Sequence, residues 1–395
     1  MKLTHSPTDG VDRYNNKGRK VKPLSFGIEI EFAVAALMTG EKDPHPNDER
    51  AVYLLPLETT VLGSSFSKVQ ESVREHIASK LSKAIRSIMH QPTGNKFQAR
   101  NFEAFNARPS ERDNHQPMAD WTITFDISVQ GALNQDEYKT FVPIEVNTPA
   151  FLFSQEAVTH VQQVFDYLSY TYRINVNNSC GLHIHLGCQH SSFSLPHLKK
   201  ICAIFWTFEN HFYSLVGESR RDNPECPSLN KESRLATGLP DQRATGLQNI
   251  LMAKSIDSLV HDLTRNGQRL GFNIANLASK KVSPKKTIEI RIPGATLDSE
   301  DIYQWLAVFK GLVEFADDVS TPILEKWLRE HINDTDADYD VFQLLSALNL
   351  PHQSYYYATK TLRSLDEEDL ETPLGKAALA AFDAEAAAHA RDNRT

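Results

Sequence analysis

The chain has 395 residues, 41% of them hydrophobic, and a net charge of −8. That content is enough for a large buried core, as one domain or as one domain with an appendage. No long basic stripe points to nucleic acid, and no apolar run approaches the ~20 residues that span a bilayer. The N-terminus lacks a signal-type apolar stretch. The four cysteines are Cys180, Cys188, Cys202 and Cys226. Their spacing matches neither a zinc site nor a disulfide framework, so we expect reduced thiols in a cytoplasmic protein.

The first third of the chain contains two clear elements. Residues 1–22 are polar, which predicts a disordered tail. A strand is predicted over Leu24–Phe32, with Ala33–Leu37 as an extension, followed by a loop at residues 39–50. Apolar residues then recur at three-and-four spacing from Phe66 to Met89, which predicts an amphipathic helix.

Strands and helices alternate over the middle of the chain. The predicted elements are a strand over Trp121–Val129, a strand over Tyr138–Val146, a helix capped by Ser154 and ending near Tyr170, a strand over Asn175–Gly187 with a turn at its start, and a helix over residues 196–216. Residues 217–245 are polar and resemble a mobile active-site loop. The loop contains Arg220, Arg221 and Arg234. Two interpretations stay open: these arginines close over a substrate carboxylate, or they only keep the loop soluble.

The last third is predicted to be mainly helical. The elements are a helix over Ile250–Leu263, strands over Phe272–Leu277 and Lys286–Pro293, a helix capped by Asp298 or Ser299 that runs to about Val319, and helices from there to Thr395. Strands separated by long helices that pack on one face indicate an α+β fold, in which an antiparallel sheet has helices behind it and its other face open.

Four strand segments carry polar side chains at alternate positions. Because residues two apart on a strand point to the same face, the aliphatic side chains fall on one face and the polar ones on the other. If the strands share a sheet, that face gathers four carboxylates, two imidazoles and a guanidinium. The segments are Glu29-Ile30-Glu31, Glu145-Val146-Asn147, His183-Ile184-His185 and Glu289-Ile290-Arg291.

Such a face fits bound cations and an anionic ligand. Each segment alone is commonly a solvated strand face or a surface ion pair. Four segments with the same alternation of polar and aliphatic residues favour a functional site. Uncompensated carboxylates on one face cost several kcal/mol or become protonated, whereas Mg²⁺ or Mn²⁺ prefers oxygen ligands. Arg291 adds a fork suited to phosphate or carboxylate, and together these groups predict a polyphosphate site. The chain has no Gly-rich phosphate loop, so nucleotide binding would be metal-centred.

The ordered set of motifs resembles the amidoligase family, within the glutamine synthetase and glutamate–cysteine ligase superfamily of carboxylate–amine ligases. The resemblance covers roughly residues 24–320 and implies a half-barrel antiparallel sheet that binds ATP and two or more magnesium ions. Its motifs are Phe26-Gly27-Ile28-Glu29-Ile30-Glu31-Phe32, Asp126-x-Ser128 leading to Pro143-Ile144-Glu145-Val146-x-x-Pro149, Cys180-Gly181-Leu182-His183-Ile184-His185-Leu186-Gly187, and Thr287-Ile288-Glu289-Ile290-Arg291.

The resemblance also implies roles for individual residues. Glu29, Glu289 and His183 match ligands of the metal that bridges the ATP phosphates, and Glu31 and Glu145 match ligands of the metal nearer the substrate. Asp126 is the candidate third carboxylate there. His185 matches a residue that contacts an ATP phosphate, and Arg291 matches the arginine that stabilises the transferring phosphoryl group. Asn273 and Asn276 are candidate substrate or nucleotide contacts.

We therefore expect an ATP- and Mg²⁺-dependent ligase that joins a small-molecule carboxylate to an amine through an acyl phosphate. The catalytic residues would be Arg291, Glu289 and Glu145. We expect a tail at 1–22, a catalytic domain at 23–320 and a helical extension at 321–395, with no nucleic-acid or membrane partner; a homo-oligomer stays open. The alternatives are a metal-dependent hydrolase or oxygenase that uses His183, His185 and Glu145, and a non-catalytic binding protein on a ligase scaffold.

Overall fold

The fold is given by a computed structural model. It describes residues 23–54, 75–77, 79–80, 103–104, 121–124, 126, 128–130, 138, 140–188, 192–236, 242–265, 268–280, 285–335, 337–366 and 369–392. The predicted tail at 1–22 lies outside these residues, as does most of the predicted helix at 66–89, of which only residues 75–77 and 79–80 are described, as helix.

One open sheet organises the described part of the chain. Its main path runs β3-β4-β5-β1-β8-β10-β9, while β2, β6 and β7 also pair with β1. Apart from the parallel pairs β1–β2 and β3–β4, the pairings are antiparallel. The strands are β1 (Ser25–Leu37), β2 (Tyr53–Leu54), β3 (Glu103–Ala104), β4 (Thr122–Thr124), β5 (Thr140–Asn147), β6 (Phe151–Leu152), β7 (Ile174–Asn175), β8 (Leu182–Gly187), β9 (Phe272–Asn273) and β10 (Thr287–Ile290).

Helices cover one face of this sheet. The even-numbered side chains of β1, such as Ile28 and Phe32, share a buried cluster with helix residues such as Phe165 and Phe205. The described helices are α1 (Gln155–Thr171), α2 (Leu195–Ser214), α3 (Glu218–Arg221), α4 (Leu229–Glu232), α5 (Gln242–Met252), α6 (Ile256–Asp262), α7 (Ser299–Asp318), α8 (Thr321–His331), α9 (Val341–Ala347), α10 (Pro351–Ser364) and α11 (Pro373–Asp392). The predicted mixed fold with a large, antiparallel, non-closed sheet is thus confirmed.

Capping side chains set the starts of the long helices as predicted. The Ser154 hydroxyl accepts a hydrogen bond from the Ala157 N–H at the start of α1. At the start of α7, the Asp298 carboxylate accepts from the N–H groups of Glu300 and Asp301. Both caps satisfy backbone donors that the first helical turn leaves without partners.

The C-terminal helices pack into the same core. The ring of Trp327 on α8 lies 4.7 Å from that of Phe208 on α2. Lys360 on α10 places its Nζ 2.6 Å from both carboxylate oxygens of Asp301 on α7. Among the described residues, no helix is long and apolar enough to cross a lipid bilayer.

The loop at residues 39–51 is held against the sheet by Arg173. This buried guanidinium donates to the Asp43 carboxylate, to the carbonyl oxygen of Asp48 at 2.5 Å and to that of Arg50 at 2.9 Å. The predicted loop is therefore present and has a fixed attachment next to β7.

Four sequence predictions need correction. Residues 217–245 include the short helices α3 and α4 and the start of α5, so the described part of this segment is not one open loop. The helix predicted at 250–263 is two helices, α5 and α6, separated near Ser255, which caps α6. Among the described residues of the strand predicted at 121–129, only Thr122–Thr124 are strand, and an Asx turn follows at Asp126–Ser128. Of the strand predicted at 272–277 only Phe272–Asn273 is strand, because a 3₁₀ turn occupies Ala275–Leu277.

Candidate functional site

The strand register brings the polar residues of the four segments onto one face of the sheet. The odd-numbered side chains of β1 point away from the helix-covered core, as the alternation predicted. Directly facing residues are neighbours across the ladder, so their side chains lie next to one another. The facing pairs are Glu29 with His183, Glu29 with Asn147, Glu31 with Glu145, Glu289 with His185, and Glu289 with Asn273.

A first group of potential metal ligands, group 1, consists of Glu29, His185 and Glu289. All three are buried, and one ligand atom from each lies within 4.8 Å of the others. Nε2 of His185 is 3.0 Å from Oε1 of Glu29 but lacks the alignment of a hydrogen bond. Nδ1 of the same ring lies 3.0 Å from Oγ1 of Thr287. A metal-binding histidine is oriented by such a contact of the ring nitrogen that does not bind the metal.

Two cationic side chains are hydrogen-bonded to the acids of group 1, and the exposed Arg269 lies farther off, with its Nη1 4.0 Å from Oε1 of Glu289. Nζ of Lys285 is 2.7 Å from Oε1 of Glu29, and Nη1 of Arg291 is 2.8 Å from Oε1 of Glu289. Burial opposes ionisation of Glu29, but Lys285 and His185 outweigh it and hold its pKa well below the usual range. Burial is likewise outweighed at Glu289, chiefly by His185 and Arg291, and its pKa is lowered to about 2. Both acids are therefore charged near neutral pH.

A second group, group 2, consists of Glu31, Asp126 and Glu145, again with ligand atoms within 4.8 Å of one another. It contains three acids and is more exposed than group 1. Burial, then the charges of Asp126 and Glu145, raises the pKa of Glu31 to about 8. Burial and the charge of Glu29 raise the pKa of Glu145 to about 7. Three acids that resist ionisation together form a site that a hard divalent cation would stabilise.

Neighbouring donors hold the acids of group 2 in place. The Gly181 N–H donates to Oε2 of Glu31 at 2.7 Å. Oε1 of Glu145 accepts from the Thr124 hydroxyl at 3.0 Å and from the Asn147 amide at 2.6 Å. The Asp126 carboxylate accepts from the N–H and hydroxyl of Ser128 in an Asx turn.

His183 lies between the two groups. Its Nδ1 is 3.4 Å from Oε2 of Glu29, and its Nε2 is 3.6 Å from Oε1 of Glu31. Burial and the adjacent Arg291 lower the pKa of His183, so the neutral ring is favoured. The resemblance assigned His183 to the ion of Glu29 and Glu289, whereas in the structure it is His185 that groups with those acids.

A glycine is required at position 181 by the closeness of this packing. A Cβ there would lie 2.8 Å from Nε2 of His183 and 3.2 Å from Oε2 of Glu31. The Gly181 backbone can therefore approach Glu31 closely enough to donate its hydrogen bond.

Arg291 follows the last residue of β10 and is fixed from several sides. Its Nε donates to the carbonyl oxygen of Glu225 at 3.2 Å, and its Nη1 lies 3.3 Å from Nδ1 of His183. Its own carbonyl oxygen accepts from Nη2 of Arg220 at 2.7 Å. Arg291 is thus a preorganised guanidinium at the junction of group 1 and His183.

Three arginines of the segment 217–245 donate to backbone carbonyl oxygens: Arg220, Arg221 and Arg234. Arg220 is buried and donates to Arg291, while Arg221 donates to the carbonyl oxygen of Tyr213 and Arg234 to that of His261. In this structure their guanidinium groups support the local backbone, and closure over a substrate carboxylate stays a prediction.

The two predicted asparagine contacts differ in position. The Asn273 amide donates to Oε2 of Glu289 at 2.7 Å, and its oxygen accepts from the Ala275 N–H. Asn276 is buried in the following 3₁₀ turn at Ala275–Leu277. Asn273 therefore supports an acid of group 1, and Asn276 belongs to neither group of ligands.

Sequence reasoning missed Lys285, Thr287 and Thr124 as parts of the site. Lys285 precedes the strand, and its lysine pair with Lys286 resembled an ordinary turn. Thr287 and Thr124 are typical strand residues, so nothing in their local pattern distinguishes them. Only the pairing of distant strands brings them to His185 and Glu145.

The donor sets fit divalent cations. Group 1 offers two carboxylates and an imidazole with a buried nitrogen that lacks a hydrogen-bond partner, and group 2 offers three carboxylates. Such sets suit Mg²⁺ or Mn²⁺. Neither group combines His183, His185 and Glu145, the set that a two-histidine, one-carboxylate centre would need.

A family model described as "Putative amidoligase enzyme" matches residues 22–313, which is most of the chain and includes both groups of ligands. No curated protein matches the chain.

Proposed function

We propose that this chain, which belongs to the putative amidoligase family, is an ATP- and Mg²⁺-dependent ligase that joins a carboxylate to an amine. The observation that carries the proposal is the pair of ligand groups side by side on the face of the sheet opposite the helix-covered core. We further propose that this sheet is the half-barrel of a glutamine synthetase-like core, to which the open antiparallel topology is suited.

In this proposal each group holds one divalent ion. Glu29, Glu289 and His185 would hold the ion nearer the nucleotide phosphates. Glu31, Glu145 and Asp126, which form group 2, would hold the ion nearer the substrate. His183 lies between the groups, where its neutral ring would contact a phosphate group bound to the ions.

Bound Mg²⁺-ATP would supply the γ-phosphoryl group that activates the substrate carboxylate as an acyl phosphate, with ADP released when the bond to the bridging oxygen breaks. The chain contributes position and charge to this transfer. Arg291 is held by Glu289 and by the Glu225 carbonyl, so its guanidinium would meet the transferring group without reorganisation.

The second step forms the amide. The amine nitrogen attacks the acyl carbon, the bond from that carbon to the phosphate oxygen breaks, and the nitrogen loses a proton. Glu145 is the proposed acceptor of that proton, because it is a partly exposed carboxylate of group 2 that would be ionised once the ion is bound. The four buried cysteines have no part in this route.

The test is incubation with Mg²⁺-ATP and pooled carboxylates, amino acids and amines, analysed by mass spectrometry. We expect ADP and a product equal in mass to an acid plus an amine minus water. Glu289→Gln should abolish ADP formation, because group 1 loses a charged ligand, while the exposed Glu330→Gln variant on α8 should retain it. AMP with pyrophosphate would contradict the acyl-phosphate route, and ADP formation by Glu289→Gln would contradict the metal assignment.

A further inference from the structure

Lys285 occupies a position that a divalent ion would also need. Its Nζ lies 2.7 Å from Oε1 of Glu29. The same oxygen is 3.0 Å from Nε2 of His185, the other ligand atom at this end of group 1. A divalent ion binds a carboxylate oxygen at about 2.0–2.1 Å if it is Mg²⁺. A lysine ammonium and a divalent ion that contact the same carboxylate oxygen would repel each other, so the two compete for that oxygen.

The two cations on group 1 differ in their freedom to leave. Arg291 is buried, and its Nε is bonded to the Glu225 carbonyl oxygen, so it remains beside Glu289. The Lys285 side chain is 34% exposed, at the edge of the site just before β10. A lysine carries one compact charge on a flexible stem, so it can move while the arginine stays.

We infer that Lys285 pairs with Glu29 when no ion is bound there, leaves it when the ion binds, and then contacts the phosphate oxygens of the nucleotide. Lys285 is thus a nucleotide-binding residue that exchanges a carboxylate for a phosphate. The inference rests on the proposed function, since it requires an ion at group 1 and a polyphosphate next to it. The ligand class is a nucleoside polyphosphate, whose oxygens carry negative charge as the carboxylate of Glu29 does.

The first measurement is Mn²⁺ binding without nucleotide, followed by electron paramagnetic resonance at pH 8 on protein dialysed against a chelator. Lys285→Ala should tighten one class of bound Mn²⁺ at least about fivefold, because a competing charge is gone. Lys285→Arg should bind no more tightly than the parent protein. Lys286→Ala is the matched control, because Nζ of Lys286 lies on the Ala278 carbonyl oxygen, and it should behave as the parent protein.

The second measurement is calorimetric binding of a non-hydrolysable ATP analogue with Mg²⁺. Lys285→Ala should weaken this binding about tenfold or more, because a phosphate contact is lost. The expected signature is therefore tighter Mn²⁺ and weaker nucleotide in one variant. A lysine with only a structural role would not move the two affinities in opposite directions.

The outcomes separate this inference from the proposed function. If the parent protein binds Mn²⁺ and the nucleotide analogue, and Lys285→Ala changes neither or weakens both, the inference is wrong while the ligase proposal stands. Tighter Mn²⁺ with unchanged nucleotide affinity also overturns it, because the transfer to phosphate is missing. If the parent protein binds neither, both proposals fail.

Discussion

Metal binding by group 2 should depend steeply on pH. Glu31 and Glu145 have pKa values raised to about 8 and about 7, so both hold protons at pH 6.5. An ion must displace those protons, because it binds the ionised carboxylates. The sign follows directly: affinity is low where the acids are protonated and rises as the pH passes through these raised pKa values.

The size of the effect can be worked out from the two values. Each of the two carboxyl groups weakens the apparent affinity for the ion by a factor of 1 + 10^(pKa − pH). Between pH 6.5 and pH 8.5 the product of the two factors falls about 100-fold, so ion binding should tighten about 100-fold. The acids of group 1 have lowered pKa values and remain charged over this interval.

The assay is Mn²⁺ titration by electron paramagnetic resonance at three pH values. Glu289→Gln weakens group 1 and leaves group 2 to be measured, and its affinity should rise about 100-fold from pH 6.5 to pH 8.5. Glu31→Gln is the matched comparison, in which the steep dependence should disappear. A change of less than about threefold in the Glu289→Gln variant would refute the idea that these two protons compete with the ion.

Two stability predictions concern the scaffold. Gly246→Ala should lower the free energy of unfolding by about 1–2 kcal/mol despite the higher helix propensity of alanine, because the added Cβ would lie 2.1 Å from Cζ2 of the buried Trp206. Gly311→Ala, where the methyl meets only a flexible leucine side chain, should be neutral or stabilising, and urea unfolding of both variants compares the signs. Asp301→Asn should cost about 1–2 kcal/mol rather than the larger penalty of a fully buried pair, because Lys360 is half-exposed; an unchanged urea midpoint would contradict this.

Strand alternation was predictable because it depends only on local geometry. The period of two places Glu29 and Glu31 on one face whatever strands lie beside them. The assignment of His185 rather than His183 to group 1 was not predictable from the pattern. It depends on the register between β8 and β10, which sets Glu289 opposite His185.

The contributions of turns and short helices were the least predictable. Lys285 reaches Glu29 across 256 positions of sequence, and no local pattern marks it. The helices α3 and α4 have four residues each, too few to show a helical period, so the segment around Arg220 resembled a loop. Its polar composition concealed a buried guanidinium that ties the Arg291 backbone in place.

The central strand β1 has a consequence for how such a protein can diversify. It contributes Glu29 to group 1 and Glu31 to group 2, and it is paired on both sides over most of its length. The spacing between the two groups is therefore a property of the backbone, about 6–7 Å for two residues of strand. Replacement of the surrounding loops can alter which ligands are accepted without changing that spacing, whereas one inserted residue in β1 between Glu29 and Glu31 would turn one of the two side chains into the core.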